Sequence, residues 1–342
     1  MSKFIPRRIN ILTLSLIIAL LIPLFYRQSY FIHVLVLLTI FVILAESLNF
    51  ITGFAGQLAL GHAAFVAIGG YAGALIMLEN HWSFWAALVF GGLFAFASGL
   101  ILGLLALRLR GDYLGMVTLG FAEIVRIVAI NADKITRGPM GLPGIPRPNL
   151  FGYQFRGEIP FYYLGIFLIV ITHFSIHRML FSRFGRSLLA LRDDETAAQA
   201  MGIETYKYKV LAFCISSGFA GLAGVFYASW TTLFSPDAFT LTDSIMMSVM
   251  ITLGGIGSLL GPIFGAIIIG ALPELLRPFT TGPGIADLRL AGVGILMILL
   301  LIVRPQGLAG MSTKSVYLSF DQVRGLFTRK RKVENSEPSE GG

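Results

Sequence analysis

The chain has 342 residues, of which 56% are hydrophobic and 13% charged, and it carries a net charge of +8 with a mean hydropathy of +0.79. A water-soluble protein of this size needs about twice that charged fraction, and the apolar residues fall in long blocks near the roughly 20 residues a helix needs to cross a bilayer. A soluble fold is excluded, as is a β-barrel with its short alternating segments; the fold class read from composition is an all-α polytopic membrane protein.

Taken in chain order, ten spans are predicted, at residues 9–26, 31–51, 54–78, 84–107, 113–131, 161–180, 210–234, 244–256, 259–276 and 285–303. The first follows Lys3, Arg7 and Arg8 like a secretion signal, but no small-residue cleavage site follows, so it is read as a retained span. Two spans are weak. The 54–78 segment is interrupted by Gly56, Gly61, Gly69, Gly70 and Gly73, and 244–256 runs into Gly254, Gly255 and Gly257. Both read as broken or half-length helices, which a bilayer tolerates only when they are buried or line a cavity. Paired interruptions in the two halves of a chain point toward a central pathway.

Ten crossings place both termini in the cytoplasm, with residues 1–8 as the N-terminal segment, 9–303 as the membrane domain and 304–342 as a polar cytoplasmic tail. Most basic residues then lie inside, near 181–209 and in the Arg329 to Lys332 cluster. The outer connector 132–160 is the exception, with Lys134, Arg137, Arg147 and Arg156; loss of one weak span would export the tail. The basic clusters flank apolar spans, so they report topology and lipid contact and not nucleic acid, for which no reading module is present. The connector's Gly138-Pro139 and Gly144-Ile145-Pro146 runs must fold as turns, as a loose link or as a cap.

Polar groups inside spans mark candidate sites. Glu123 and Arg126 sit three residues apart, about 16 Å into their helix at ~1.5 Å per residue, as a packing pair or as part of a translocation route. Gln57 and His62 lie in the first glycine-broken segment, where backbone is available to a pathway. Proton coupling through His62 or Glu46 lacks a relay partner visible in the sequence. Glu274 and Arg277 flank a span end, and the one cysteine, Cys214, reads as a small packing residue. No phosphate-binding loop, metal-ligand motif or nucleophile elbow occurs, so a conduit is read in place of an enzyme, and no cofactor is expected.

The mid-chain polar island at 186–203 is the remaining signal. Asp193 and Asp194 suit a helix start, Ala197 and Ala198 favour helix, and Gly202 is a natural stop. A helix of about two turns with a small-residue face results, either as an ordinary connector or as a surface that a partner approaches closely.

Several stretches in order carry a resemblance. They are residues 48–65, holding Gly53, Gly56, Gln57, Gly61 and His62; Gly69-Gly70-Tyr71; Thr118 to Arg126; Thr136 to Pro146; the island; Phe219 to Gly224; Leu253 to Ser258; and Arg304-Pro305-Gln306-Gly307-Leu308. The chain resembles the permease subunit of bacterial branched-chain amino acid ABC importers, over nearly all of 48–307; Arg137 and Met140 depart from the family pattern. The resemblance implies a type II importer permease of about ten helices in the bacterial inner membrane. It implies a second permease subunit, two cytoplasmic ATP-binding subunits and an extracytoplasmic amino-acid-binding protein. The island becomes a coupling helix, with Asp193, Asp194, Glu195, Ala198 and Gly202 meeting the ATPase, and Gln57, His62, Glu123 and Arg126 become pathway candidates. Leucine, isoleucine and valine are the implied cargo. Urea and short-chain amide importers use similar permeases, and an ion-gradient-driven secondary transporter is the reading from another class.

Overall fold

Backbone amides cannot stay unpaired in hydrocarbon, so the long apolar runs fold as helices. The computed structural model describes residues 19–23, 28–106, 109, 111–150, 152–276, 294, 295 and 298. The tail 304–342, most of the predicted 9–26 and 285–303 spans, Arg277 and the side chain of Glu274 lie outside the described residues. The helices are α1 (Ser29–Asn49, prolonged by a π-helical turn Phe50–Phe54), α2 (Ala63–Glu79), α3 (Phe84–Ala106), α4 (Asp112–Asn131) and the single turn α5 (Asp133–Thr136). There follow α6 (Glu158–Leu180), α7 (Arg183–Asp193), α8 (Glu195–Ala200), α9 (Thr205–Thr231), α10 (Leu241–Gly254) and α11 (Gly261–Leu276).

Among the described residues, 79% are helical and five helices are long and apolar enough to cross a membrane: Ser29–Phe54, Phe84–Leu105, Asp112–Asn131, Glu158–Leu180 and Thr205–Thr231. The chain is a membrane-embedded, multi-pass protein. Ala63–Glu79 and Gly261–Pro273 are shorter apolar helices, and α10 has only 14 residues, or about 21 Å. The two predicted weak spans are thus a broken and a half-length helix. The first interruption spans 55–62 and holds Gly56 and Gly61 as expected, whereas Gly69, Gly70 and Gly73 lie inside α2.

Small residues set the core. Helix α9 packs along α3 and α2, and a Cβ built on Gly69 would strike the backbone of Gly221, while one on Gly224 would strike the carbonyl of Val66. Where hydrocarbon surrounds the bundle, apolar burial drives little, and close backbone approach supplies the packing. Helix α1 joins α6 on one side and α11 on the other. Helices α10 and α11 form a hairpin whose arms touch at Gly254, Gly261 and Gly265.

The 132–160 connector is ordered into short strands and turns. Strand β1 (Leu142–Pro143) pairs antiparallel with β4 (Leu233–Phe234), and β2 (Asn149–Leu150) pairs with β3 (Tyr153–Gln154). The backbone N–H groups of Gly144 and Ile145 donate to the carbonyl of Thr232, and Ser229 Oγ donates to the carbonyl of Pro146. Glu158, at the start of α6, accepts from Trp230 Nε1 at 2.7 Å and lies 3.3 Å from His33 Nδ1. These contacts bind together the start of α1, the start of α6 and the end of α9.

The packing makes a comparison of two glycine variants informative. Gly69→Val is expected to overpack the α2–α9 contact and destabilise the fold by about 1–3 kcal/mol. Gly218→Ala, whose added Cβ would find its nearest neighbours at 3.5 Å, is expected to change little. Thermal midpoints of the two purified variants in detergent check the difference.

Candidate functional site at the helix breaks

A helix that breaks inside a bilayer leaves donors and acceptors that side chains must satisfy. At the first break, residues 55–62, the N–H of Leu60 donates to Thr118 Oγ1 of α4 at 2.9 Å, and the N–H of Ala63 donates to Ser244 Oγ of α10 at 3.0 Å. Gly61 lies so close to the Thr118 carbonyl that no side chain fits between them. Two elements distant in sequence, α4 and α10, therefore hold one short irregular segment.

His62 is buried at 1% exposure, and its Nε2 lies 2.7 Å from Ser47 Oγ. Ser47 gives its own proton to the carbonyl of Leu44, so His62 donates from Nε2, and its Nδ1 has no hydrogen-bond partner. Ser216 Oγ of α9 donates to the Ser47 carbonyl at 2.6 Å. Gln57 is half-buried, and its side-chain amide donates to the Ala55 carbonyl at 3.2 Å.

The second break, between α10 and α11, is tied to the first. Asn49, 2% exposed, donates from Nδ2 to the Ser258 carbonyl and accepts from the Gly257 N–H at Oδ1, each at 2.9 Å. Its amide thus satisfies one donor and one acceptor of the second turn, while its own backbone opens the π-helical turn that leads into the first. Arg192 touches both turns. A Cβ built on Gly56 would lie 3.2 Å from Cα and Cγ of Arg192, and one on Gly257 would strike the Arg192 guanidinium.

Arg192 belongs to the polar island, which folds as two helices where one was expected. Asp194 separates them: it leaves the helical conformation and caps α8, accepting from the N–H groups of Thr196 (2.8 Å) and Ala197 (2.9 Å). Helix α8 stops at Gly202, whose φ of +79° and paired N–H bonds, Gly202 to Gln199 and Ile203 to Ala198, form a Schellman cap. Asp193 ends α7 and is exposed. Glu195 accepts from Lys209 Nζ at 2.7 Å, with the Lys209 side chain only 4% exposed. Ala198 turns back into the protein, while Ala197, Ala200, Met201 and Gly202 are exposed. The small-residue face open to a partner is therefore the 197–202 side, without Ala198.

Glu123 and Arg126 pair as expected, Arg126 Nε standing 3.3 Å from Glu123 Oε1. Arg126 also reaches Asp237 at 3.4 Å, a partner that residue spacing alone does not reveal. Gln57 and His62 sit at the first break, whereas Glu123 and Arg126 lie farther along α4; the four candidates do not form one cluster. Glu46 and His62 have partners that the sequence does not reveal. Glu46 Oε1 of α1 lies 2.6 Å from His173 Nδ1 of α6, a contact hidden by 127 residues of separation, and His62 has Ser47. Among the described residues no group of His, Cys, Asp or Glu could hold a metal ion.

Residues 30–302 match the family described as branched-chain amino acid transport system, permease component. The chain belongs to this permease family. It is 38% identical over 312 residues to the high-affinity branched-chain amino acid transport system permease protein LivM of Escherichia coli (strain K12), covering 84% of this chain and 71% of the relative. LivM of Salmonella typhimurium gives the same figures. A probable LivM of Methanocaldococcus jannaschii is 27% identical over 65% of this chain and 67% of that one. No solved structure matches.

For a permease, the groups missed in the sequence are instructive. Asn49, Thr118 and Ser244 are small polar residues in apolar runs, and the signal that could have found them was the need of each broken helix for donors and acceptors. Arg192 stood inside the island but looked like one more surface cation.

The Glu195–Lys209 pair permits a cycle. Glu195→Gln strands a buried ammonium and is expected to destabilise by about 3 kcal/mol, whereas Glu195→Gln with Lys209→Met recovers most of the loss. Thermal unfolding of the single and double variants measures both.

Proposed function

We propose that the chain is the permease subunit of an ATP-driven importer that passes branched-chain amino acids, delivered by an extracytoplasmic binding protein, across the bacterial inner membrane. Membership of the permease family and the LivM relatives support this reading. The observation that carries its mechanism is the exposed helix α8, braced through Glu195–Lys209 and adjoining an arginine that touches both helix breaks. Helix α8 docks on an ATP-binding subunit in the cytoplasm, with Asp193, Asp194, Glu195 and Gly202 shaping the contact. Ala198 positions the helix from behind. Both termini are cytoplasmic, and a second permease subunit completes the pathway.

Helix α4 supplies the pathway face. It is the least buried of the five long apolar helices, yet Glu123, Arg126 and Asp237 on and beside it are partly exposed. Charges at such a position cost several kcal/mol against lipid, so this side faces the second permease subunit or the water-filled route between the two. Gln57 and His62 flank the inner part of that route, where the first break opens beside Thr118. The chain performs no chemistry; nucleotide hydrolysis moves it between outward- and inward-open forms as rigid parts.

Reconstitution into vesicles tests the reading. Uptake of labelled leucine is expected to require the ATP-binding subunits and ATP. Uptake that persists without them and follows a proton or sodium gradient contradicts it. Ala197→Trp, on the exposed face of α8, is expected to abolish co-purification of the ATP-binding subunits while membrane insertion stays normal.

Arg126→Gln is expected to reduce uptake about tenfold with unchanged expression, as loss of a pathway charge would. Uptake at the parent level would leave Arg126 a packing residue.

A further inference from the structure

We propose that Arg192 is the positioning residue through which displacement of α8 reaches both helix breaks, with Asn49 holding the two breaks together so that they move as one gate. The proposal rests on α8 being the ATPase-docking segment and adds the route from that segment into the membrane.

Arg192 stands two residues before the Asp194 cap. The connection is stiff: the Asp194 N–H donates to Ala190 in α7 at 3.1 Å, and the Ala198 N–H donates to Asp194 at 3.0 Å. Movement of α8 therefore carries the end of α7 with it. From that end the stem of Arg192 lies against Gly56 of the first break, and its guanidinium lies against Gly257 of the second. Both glycines have positive φ, +67° and +76°, which side chains other than glycine rarely adopt. No side chain of either turn intervenes, and displacement of the arginine is passed directly to two backbones.

The two turns are not independent. Asn49 pairs with Gly257 and Ser258 through both ends of its amide, and Gly53 is pressed between Asn49 and Gly257, leaving no room for a Cβ. One arginine and one asparagine thus join three segments remote in sequence: the π-helical turn and first break, the α10–α11 turn, and the end of α7. The first break continues into α2 and is held by Thr118 of α4, while the second starts α11. A shift at this junction is therefore delivered to the helices on either side of the pathway.

The test uses the whole importer in vesicles, measuring ATP hydrolysis and leucine uptake together. Arg192→Ala is expected to keep the ATP-binding subunits bound and hydrolysis within about twofold of the parent, while leucine carried per ATP falls by about tenfold, a typical size for coupling between sites. Arg192→Lys, which keeps the stem and a cation, is expected to restore part of that ratio. Asn49→Asp, which removes the donor to Ser258, is expected to uncouple in the same way. An unchanged ratio in both Arg192→Ala and Asn49→Asp overturns the proposal, and so does loss of the ATP-binding subunits on Arg192→Ala, since Arg192 would then act in docking. Ala197→Trp separates the two readings: an assembly that stays whole and active with that change overturns the docking assignment itself. Where a variant does not insert, hydrogen exchange on the unaltered importer decides. Protection of residues 255–260 is expected to change when an ATP analogue closes the ATPase subunits, and unchanged protection overturns the proposal.

Discussion

Wherever a helix stops inside a bilayer, its open amides and carbonyls must find partners in the protein, because lipid offers none. That constraint organises this permease. Its two interrupted helices do not end in separate places. The Asn49 amide, at 2.9 Å from both Gly257 and Ser258, ties the second break to the helix that leads into the first. Thr118 and Ser244 supply two further bonds to the first segment. The irregular backbone is therefore fixed by polar side chains from α1, α4 and α10, and the surrounding bundle supplies the frame on which those side chains stand.

The frame itself is built by contact between backbones. Gly69 meets Gly221 and Gly224 meets Val66 where α2 and α9 cross, and the 132–160 connector and Glu158 tie together the neighbouring ends of α1, α6 and α9 through His33, Trp230 and the β1–β4 pair. The opposite end is different in character. There the fixed bundle gives way to turns held by single side chains, next to a short exposed helix. One end held by backbone contacts and the other by single side chains accord with the proposed switching between discrete packings.

Much of this was legible in the residue order. Long apolar blocks announced the helices, and Gly56, Gly61, Gly254 and Gly257 announced the breaks, because glycine and short length are local signals. The cap and stop of α8 were also local, written in Asp194 and Gly202. What could not be read was every pairing across distance: Glu46 with His173, Arg126 with Asp237, Asn49 with the second turn. Residues 127, 111 and 208 positions apart leave no trace of their meeting in one sequence. The inward face of Ala198 was lost for a related reason, since helix propensity says that a residue is helical and not which way it points. Helix α7, which precedes the Asp194 cap, was not read as a helix of its own.

If nucleotide-driven motion enters through α8, it must reach both breaks together. Structures of the complete importer, solved with and without a bound ATP analogue, decide this. Expected is α8 seated in a cleft of the ATP-binding subunit in both states, with Arg192 and the Gly56 and Gly257 turns displaced together between them. An α8 that touches no ATP-binding subunit, or turns that keep their places relative to α2 and α9 in both states, would contradict it.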